Sequence, residues 1–176
     1  MNFTNLKFPD EMSKKELLIL LKEYASDIHI SDIMTASVFL LDEGKYVQSG
    51  YREKYIESYV KGFILRVNEI KENNKPYEGF VDIKELRESI KLLDDQEKLI
   101  LKERSVENGF FKIYKIISIY TTFVLGEPIH PIGTPFPGGF EVKYEKGTYL
   151  CPVKDKQKDN PNAVCGFCIA KQDEKV

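Results

Sequence analysis

The sequence of 176 residues contains no tryptophan, two histidines and three cysteines. All three cysteines lie within the last 26 residues, at Cys151, Cys165 and Cys168. An odd number of cysteines excludes a complete disulfide framework within one chain. A chain of this length buries about 70% of its unfolded surface, so the fold does not require disulfides. Two histidines also give no basis for proposing a Ser-His-Asp arrangement.

The sequence lacks an excess of either charge, because 26 Lys+Arg residues face 28 Asp+Glu residues. This excludes a strongly basic chain, the simplest class of nucleic-acid-binding protein. The longest near-apolar run, residues 110–125, is interrupted by lysines and is shorter than the roughly 20 residues of a membrane span. Residues 1–15 lack the basic start and apolar block of a signal peptide. We therefore expect a protein of the reducing cytoplasm without a membrane partner.

Helical periodicity dominates residues 1–125. Ser13 and Glu16 have the spacing of a capping box, and apolar positions at helical spacing follow them. The apolar side chains of residues 51–72 form one continuous stripe, which predicts an amphipathic helix. The length of the run at 110–125 favours a helix, although its isoleucines and aromatics would also suit a strand. We predict a mainly α fold, a bundle of five or six helices.

The composition changes after residue 125. Residues 126–140 hold four of the 11 glycines and four of the eight prolines. Because proline restricts its own backbone and that of the preceding residue, this segment is predicted to be a loop with a fixed path. Alternating side chains in residues 141–150 predict a short β-hairpin that delivers Cys151. The predicted organisation is one structural domain with two parts, a helical core at 1–125 and an appendage packed on it at 126–176.

The pair Cys165 and Cys168 is the most informative motif. Two intervening residues allow both sulfurs to reach one metal at about 2.3 Å. The predicted hairpin would bring Cys151 to the same place. A tetrahedral zinc site needs a fourth ligand, and His130 is the best candidate because it lies in the rigid proline-rich loop. The sequence therefore predicts a metal knuckle with zinc bound by Cys151, Cys165, Cys168 and His130.

Other interpretations of the C-terminal residues stay open. Three cysteines can also hold a [4Fe-4S] cluster, with one iron left to another ligand or to substrate. The cysteines could also be buried or reactive free thiols. Lys154, Lys156 and Lys158 would share one face if they were extended and could then touch a phosphate backbone. Residues 126–176 have no basic surplus, so their composition does not favour nucleic-acid binding, and a solvated linker is the simpler interpretation.

Two further motifs are interpreted as structural. The glycine-rich segment at 133–139 has neither the lysine nor the serine or threonine of a phosphate loop, so it is predicted to clamp the helices. The acidic pair Asp94-Asp95 falls near a predicted helix end and is interpreted as ordinary solvated charge. Neither motif suggests catalysis.

The C-terminal motifs also carry a family resemblance. They are His-Pro-Ile-Gly-Thr-Pro-Phe-Pro-Gly-Gly-Phe at 130–140, Tyr-Leu-Cys-Pro-Val-Lys-Asp-Lys-Gln-Lys-Asp-Asn-Pro at 149–161 and Cys-Gly-Phe-Cys at 165–168. With these motifs the sequence resembles an uncharacterised archaeal protein family known chiefly from methanogens. The resemblance implies an archaeal, cytoplasmic protein whose three cysteines act together. It implies no established activity, so it assigns no catalytic residues.

Two functional hypotheses follow. The first is a non-enzymatic, zinc-stabilised module that could serve a protein partner. The second is a metalloenzyme or redox protein whose three-cysteine site keeps one position open. His130 discriminates between them, because an imidazole that completes the tetrahedron closes the site, whereas one in a pocket can act as an acid or base.

Overall fold

Five long helices precede a C-terminal segment of short strands in the computed structural model, which describes residues 8–43, 49–103, 109–161 and 163–176. The helices are α1 (Lys14–Ser26), α2 (Ile30–Glu43), α3 (Ser49–Glu72), α4 (Ile83–Glu103) and α5 (Gly109–Ile119). The predicted mainly helical fold is confirmed. Among the described residues, none of the helices combines the length and the apolar character that crossing a membrane requires.

The start of α1 confirms the predicted capping box. The Ser13 hydroxyl accepts a hydrogen bond from the Glu16 amide at 3.2 Å, and the Glu16 carboxylate accepts one from the Ser13 amide at 2.8 Å. These bonds satisfy two amides that a helix N-terminus leaves unpaired. The helix then buries one apolar face, formed by Leu17, Leu18, Leu21 and Ala25.

The segment after residue 82 forms one helix, α4. The Asp82 carboxylate accepts a hydrogen bond from the Glu85 amide at 2.9 Å, as expected of an N-cap. Leu99 and Leu101 lie within α4. The buried face of α4 carries Leu86, Ile90 and Leu93.

The predicted helix at 110–125 is confirmed, but its last turn has a different geometry. After α5 the chain continues as a π-helix at Tyr120–Leu125, and Gly126 ends it in the left-handed conformation with φ of 66°. Glycine adopts this conformation without steric cost. A π-helix widens the turn and changes the direction of the side chains that follow. Periodicity does not predict this change.

The helix α5 lies at the centre of the bundle and contacts α1, α2, α3 and α4. Its Phe111, Ile113 and Ile116 are almost completely buried. The hydrophobic core extends from these side chains to Val164 and Phe167 of the C-terminal segment. The two parts of the chain therefore share a continuous apolar interior.

The C-terminal segment contains two small sheets. In the first, β1 (Pro135–Phe136) pairs with β2 (Phe140–Glu141) in antiparallel fashion. In the second, β3 (Lys143–Glu145) pairs antiparallel with β4 (Thr148–Cys151), and β5 (Lys171–Gln172) is parallel to β4. A short helix α6 (Lys154–Gln157) and a 3-10 turn (Val164–Gly166) complete the segment. The β3–β4 pair confirms the predicted hairpin and ends at Cys151.

The proline-rich loop packs against α3. Glu127 pairs with Arg66 at one point of contact. A Cβ added at Gly62 would lie only 3.3 Å from Cγ of Pro131, so the loop packs closely against the helix there. Glycine at position 62 permits this close approach. Within the glycine-rich segment that was predicted to be a clamp, the strand β1 also contacts α3.

Candidate functional site

The three cysteines lie near one another in the C-terminal segment. Cys151 is the last residue of β4, Cys165 lies in the 3-10 turn, and Cys168 follows that turn. Cys151 and Cys165 are buried, Cys168 is half-buried, and all three are free thiols. The Cys168 amide donates to the carbonyl of Val164 at 3.2 Å, and the Asp173 amide donates to the carbonyl of Cys151 at 3.0 Å. Local backbone bonds thus hold Cys151 and Cys168 in place.

The thiols are close enough to influence one another electrostatically. The pKa of Cys165 is raised to about 11, chiefly by burial, with the neighbouring Cys168 and Cys151 contributing. The pKa of Cys151 is also raised, chiefly by burial, with Cys168 contributing. Both thiols are therefore protonated at neutral pH. A bound cation would favour their thiolate forms instead.

Lys154 supplies the positive charge nearest to the cysteines. Its ammonium donates to the carbonyl of Cys165 and, at 2.6 Å, to the carbonyl of Cys168. The same charge opposes the rise in the pKa of Cys151 and Cys165. Because Lys154 opens the helix α6 and points toward the cysteines, the extended lysine row that would suit a nucleic acid does not form. The exposed lysines of that row are Lys156 and Lys158.

The structure places His130 in the proline-rich loop, against Phe136. The two rings meet edge to face, with centroids 5.8 Å apart. The side chain is half-buried, and burial lowers the pKa of His130 to about 4. The imidazole is therefore neutral at pH 7, the state in which it can bind a metal.

The described residues do not form a complete metal site. Within residues 8–43, 49–103, 109–161 and 163–176, no group of three or more His, Cys, Asp or Glu side chains is arranged to hold a metal ion. The structure brings Cys151, Cys165 and Cys168 near one another, but it does not show His130 as their fourth partner. Zinc binding and the role of His130 stay predictions.

The cysteine cluster, meaning Cys151, Cys165 and Cys168, is fastened to the helical bundle. Phe167 is buried in the shared core. The Gln96 amide of α4 donates to the carbonyls of Pro161 at 2.8 Å and Ala163 at 3.2 Å. On α5, Tyr114 lies close enough to Cys165 and Cys168 for both thiols to add to the rise in its pKa, which burial dominates.

A buried ion pair in the bundle was not predicted from the sequence. The Lys115 ammonium binds the Asp94 carboxylate and lies 2.7 Å from the Glu97 carboxylate. Lys115 and Asp94 are 2% and 3% exposed, so the interpretation of Asp94 as solvated charge is wrong. The sequence contained one sign of this pair, which is the position of Lys115 within the apolar run at 110–125. A charge that is buried with such a run needs a partner of opposite charge.

A second polar network links α3 to the π-helix. The Tyr120 hydroxyl donates a hydrogen bond to the Glu69 carboxylate at 3.0 Å and accepts one from the side-chain amide of Asn73. Glu69 in turn accepts from Arg66 at 2.6 Å. Beside this network lies an open cleft of about 540 Å³, whose lining includes Glu69 and Asn73. Because the amide and the hydroxyl already bond within the network, we assign it to the positioning of the π-helix.

Comparisons with known proteins identify the family. The family model described as "Uncharacterized protein conserved in archaea (DUF2115)" matches residues 13–173. A UPF0305 protein of Methanothermobacter thermautotrophicus is 43% identical over 94% of this chain and 99% of its own length. A second from the same organism is 38% identical over 89% and 94%, and one from Methanocaldococcus jannaschii is 30% identical over 91% and 96%. No solved structure matches. The chain belongs to the DUF2115 family, which confirms the predicted resemblance to uncharacterised archaeal proteins.

Proposed function

We propose that this member of an archaeal family is a metal-stabilised module in which zinc, bound by the cysteine cluster, fastens the C-terminal segment to the helical bundle. The observation that carries the proposal is the approach of three thiols from β4, the 3-10 turn and the residue after it. Thiolate sulfur is the donor that structural zinc sites use most. The chain would then form one domain, in which the bound zinc joins the C-terminal segment to the helical bundle.

The charges around the cysteine cluster suit a zinc ion. Three thiolates would leave a Zn²⁺ site with one net negative charge, and the Lys154 ammonium lies where it can offset that charge. Binding would require the thiols to lose their protons and to turn toward a common point. His130 is the proposed fourth ligand, because its imidazole is neutral.

The metal would have a structural role. Residues 152–164 connect the first cysteine to the second, and Gln96 of α4 bonds to this connection at the carbonyls of Pro161 and Ala163. Because zinc binds the folded arrangement and not the unfolded chain, its binding free energy adds to folding stability. The ion would thereby replace some of the apolar burial that short strands cannot provide.

Metal analysis of protein purified without oxygen tests the proposal. One zinc per chain in colourless protein is the expected result and would contradict an iron–sulfur cluster. Brown protein with broad visible absorption would overturn zinc in favour of [4Fe-4S]. Reductively handled protein without any metal would leave the proposal without its basis.

The variant Cys165→Ser tests whether the cluster is the binding site. We expect loss of the zinc and a lower melting temperature, since metal-binding energy is folding energy. The matched control is Ala170→Ser, which places a hydroxyl at a buried position of the same segment without removing a thiol. Equal zinc content in Cys165→Ser and wild type would contradict the proposed ligand set.

A metalloenzyme or redox protein with an open three-cysteine site is the second candidate. It is favoured by the partial exposure of Cys168 and by a cleft of about 590 Å³ whose lining includes Lys154. The variant His130→Asn separates the two candidates. Loss of zinc would indicate a closed, structural site, whereas retained zinc would indicate that the fourth position is open.

A further inference from the structure

Two polar side chains, Lys154 and Gln172, bond to the backbone around the cysteine cluster. The Lys154 ammonium donates to the carbonyls of Cys165 and Cys168, so one group holds both ends of the Cys-Gly-Phe-Cys turn at 165–168. Lys154 lies three residues after Cys151, which ends β4. A single side chain therefore joins the strand end that carries the first cysteine to the turn that carries the other two.

Gln172 holds the backbone on both sides of Lys154. Its carboxamide accepts a hydrogen bond from the Asp155 amide at 2.9 Å and donates one to the carbonyl of Pro152 at 3.1 Å. Gln172 belongs to β5, whose register pairs it with Cys151 of β4. Because this backbone is held against β5, the lysine side chain has fewer directions to sample before its ammonium reaches the turn.

The turn at 165–168 also packs closely against the end of α6. A Cβ added at Gly166 would lie 3.3 Å from the carbonyl oxygen of Lys158, so glycine permits this approach. The Cys168 amide closes the turn through its bond to the carbonyl of Val164. The bonds that Lys154 and Gln172 make use no sulfur atom, so these two side chains leave the three thiols available to a ligand.

The surroundings of Lys154 differ from those of its neighbouring lysines. Lys156 and Lys158 are exposed, whereas Lys154 is half-buried. Within the described ranges, no carboxylate lies at ion-pair distance from the Lys154 ammonium, and its hydrogen bonds go to the two cysteine carbonyls. A partly buried charge is costly unless it is bonded. The position of this ammonium is therefore explained by its hold on the turn.

We propose that Lys154 and Gln172 are positioning residues, which assemble the cysteine cluster through the polypeptide alone and before any metal binds. The cluster then differs from a classical zinc finger, whose chain is unfolded without metal. A site assembled in advance loses less conformational freedom when its ligand binds. Only the effect on zinc affinity rests on the proposed function, since the assembly of the turn does not require zinc.

Hydrogen exchange of the full chain, reduced and freed of metal with a chelator, tests the assembly. The Cys168 amide should be protected in wild type, and Lys154→Met should raise its exchange rate at least about 10-fold. Lys154→Arg should restore the protection, because a guanidinium can donate to both carbonyls. The matched control is Lys156→Met, which removes an exposed lysine of the same helix and should leave the rate unchanged. Unchanged protection of α5 shows that each variant keeps the folded bundle.

Titration of the same proteins with zinc, in competition with a chelator, tests the consequence for binding. Residues that support metal ligands typically change metal affinity 10–100-fold, so Lys154→Met should raise the zinc dissociation constant by about that factor. Gln172→Ala should raise it by less, since Gln172 acts on the turn through Lys154. With cobalt(II) in place of zinc, Lys154→Arg should reproduce the visible spectrum of wild type, and Lys154→Met should change it.

The outcomes separate this inference from the proposed function. If wild type binds no zinc but its Cys168 amide is protected only while Lys154 is present, the proposed function fails and the positioning role holds. Free exchange of the Cys168 amide in metal-free wild type would overturn the positioning role, whether or not zinc binds. Equal protection in wild type and Lys154→Met would overturn it as well, and so would equal zinc affinity in these two proteins.

Discussion

The helical bundle and the C-terminal segment are stabilised in different ways. In the bundle, five helices each bury an apolar face, so many buried side chains contribute to the stability of the fold. The C-terminal segment has strands of only two to four residues, and its few buried apolar side chains, among them Val142, Val164, Phe167 and Ala170, lie outside those strands. The segment depends instead on specific bonds from Gln96 and Lys154.

This difference implies that the two regions open at different free energies. Regions with few buried contacts unfold locally at lower cost than a packed core does. The C-terminal segment should therefore exchange its amide hydrogens faster than α5. The proposed zinc would reduce this difference, because it would add stability only to the segment that contains the cysteine cluster.

The largest effect is expected from the ion pair at the centre of the bundle. Lys115→Met should lower the free energy of unfolding by about 3–5 kcal/mol, because the buried Asp94 carboxylate would lose the ammonium group that neutralises it. Chemical denaturation followed by circular dichroism measures the loss. The double variant Lys115→Met with Asp94→Leu should recover most of it. A loss below about 1 kcal/mol in the single variant would show that the pair is not buried as described.

An intermediate effect is expected from His130 in acid. The folded protein keeps the pKa of His130 at about 4, whereas the ordinary value is 6.5, so only the unfolded chain takes up this proton between those values. The contribution is complete above pH 6.5 and is lost as the pH falls toward 4, on the order of 2 kcal/mol for a half-buried ring.

The variant His130→Gln should therefore show a flatter pH dependence of unfolding in that window. Urea unfolding at pH 4.5 and pH 7.5 measures the slope for variant and wild type. Identical slopes would mean that the loop leaves His130 open to water.

The smallest effect is expected where the two regions meet. Gln96→Ala removes two hydrogen bonds to the backbone at Pro161 and Ala163, so we expect a loss of about 1 kcal/mol. Hydrogen exchange should reveal the loss in residues 163–170 and leave α5 protected. Lys98→Ala, an exposed change on the same helix, serves as control. Equal deprotection of α5 would contradict the separation between the regions.

The predictions from sequence succeeded where the cause is local. The capping box at Ser13, the stripe of α3 and the β-hairpin before Cys151 each depend on residues within a few positions of one another. Local spacing also placed the loop after residue 125. The resemblance to the family was predicted from long C-terminal motifs.

The failures came from partners that lie far apart in the chain. Asp94 looked like surface charge because Lys115, its partner, is 21 residues away. Lys154 looked like part of an exposed row because its bonds to the cysteine carbonyls exist only after the segment folds back. The π-helix has no periodic signal of its own.

By itself, the sequence determined the helices, the hairpin and the concentration of cysteines in the last part of the chain, since each depends on short-range backbone preference and side-chain spacing. The tertiary structure alone decided which charges are buried, that the three thiols approach one another, and that the apolar side chains of Met34 and Val38 face outward. These properties depend on which elements pack together. Burial and long-range pairing arise only when distant segments exclude water between them.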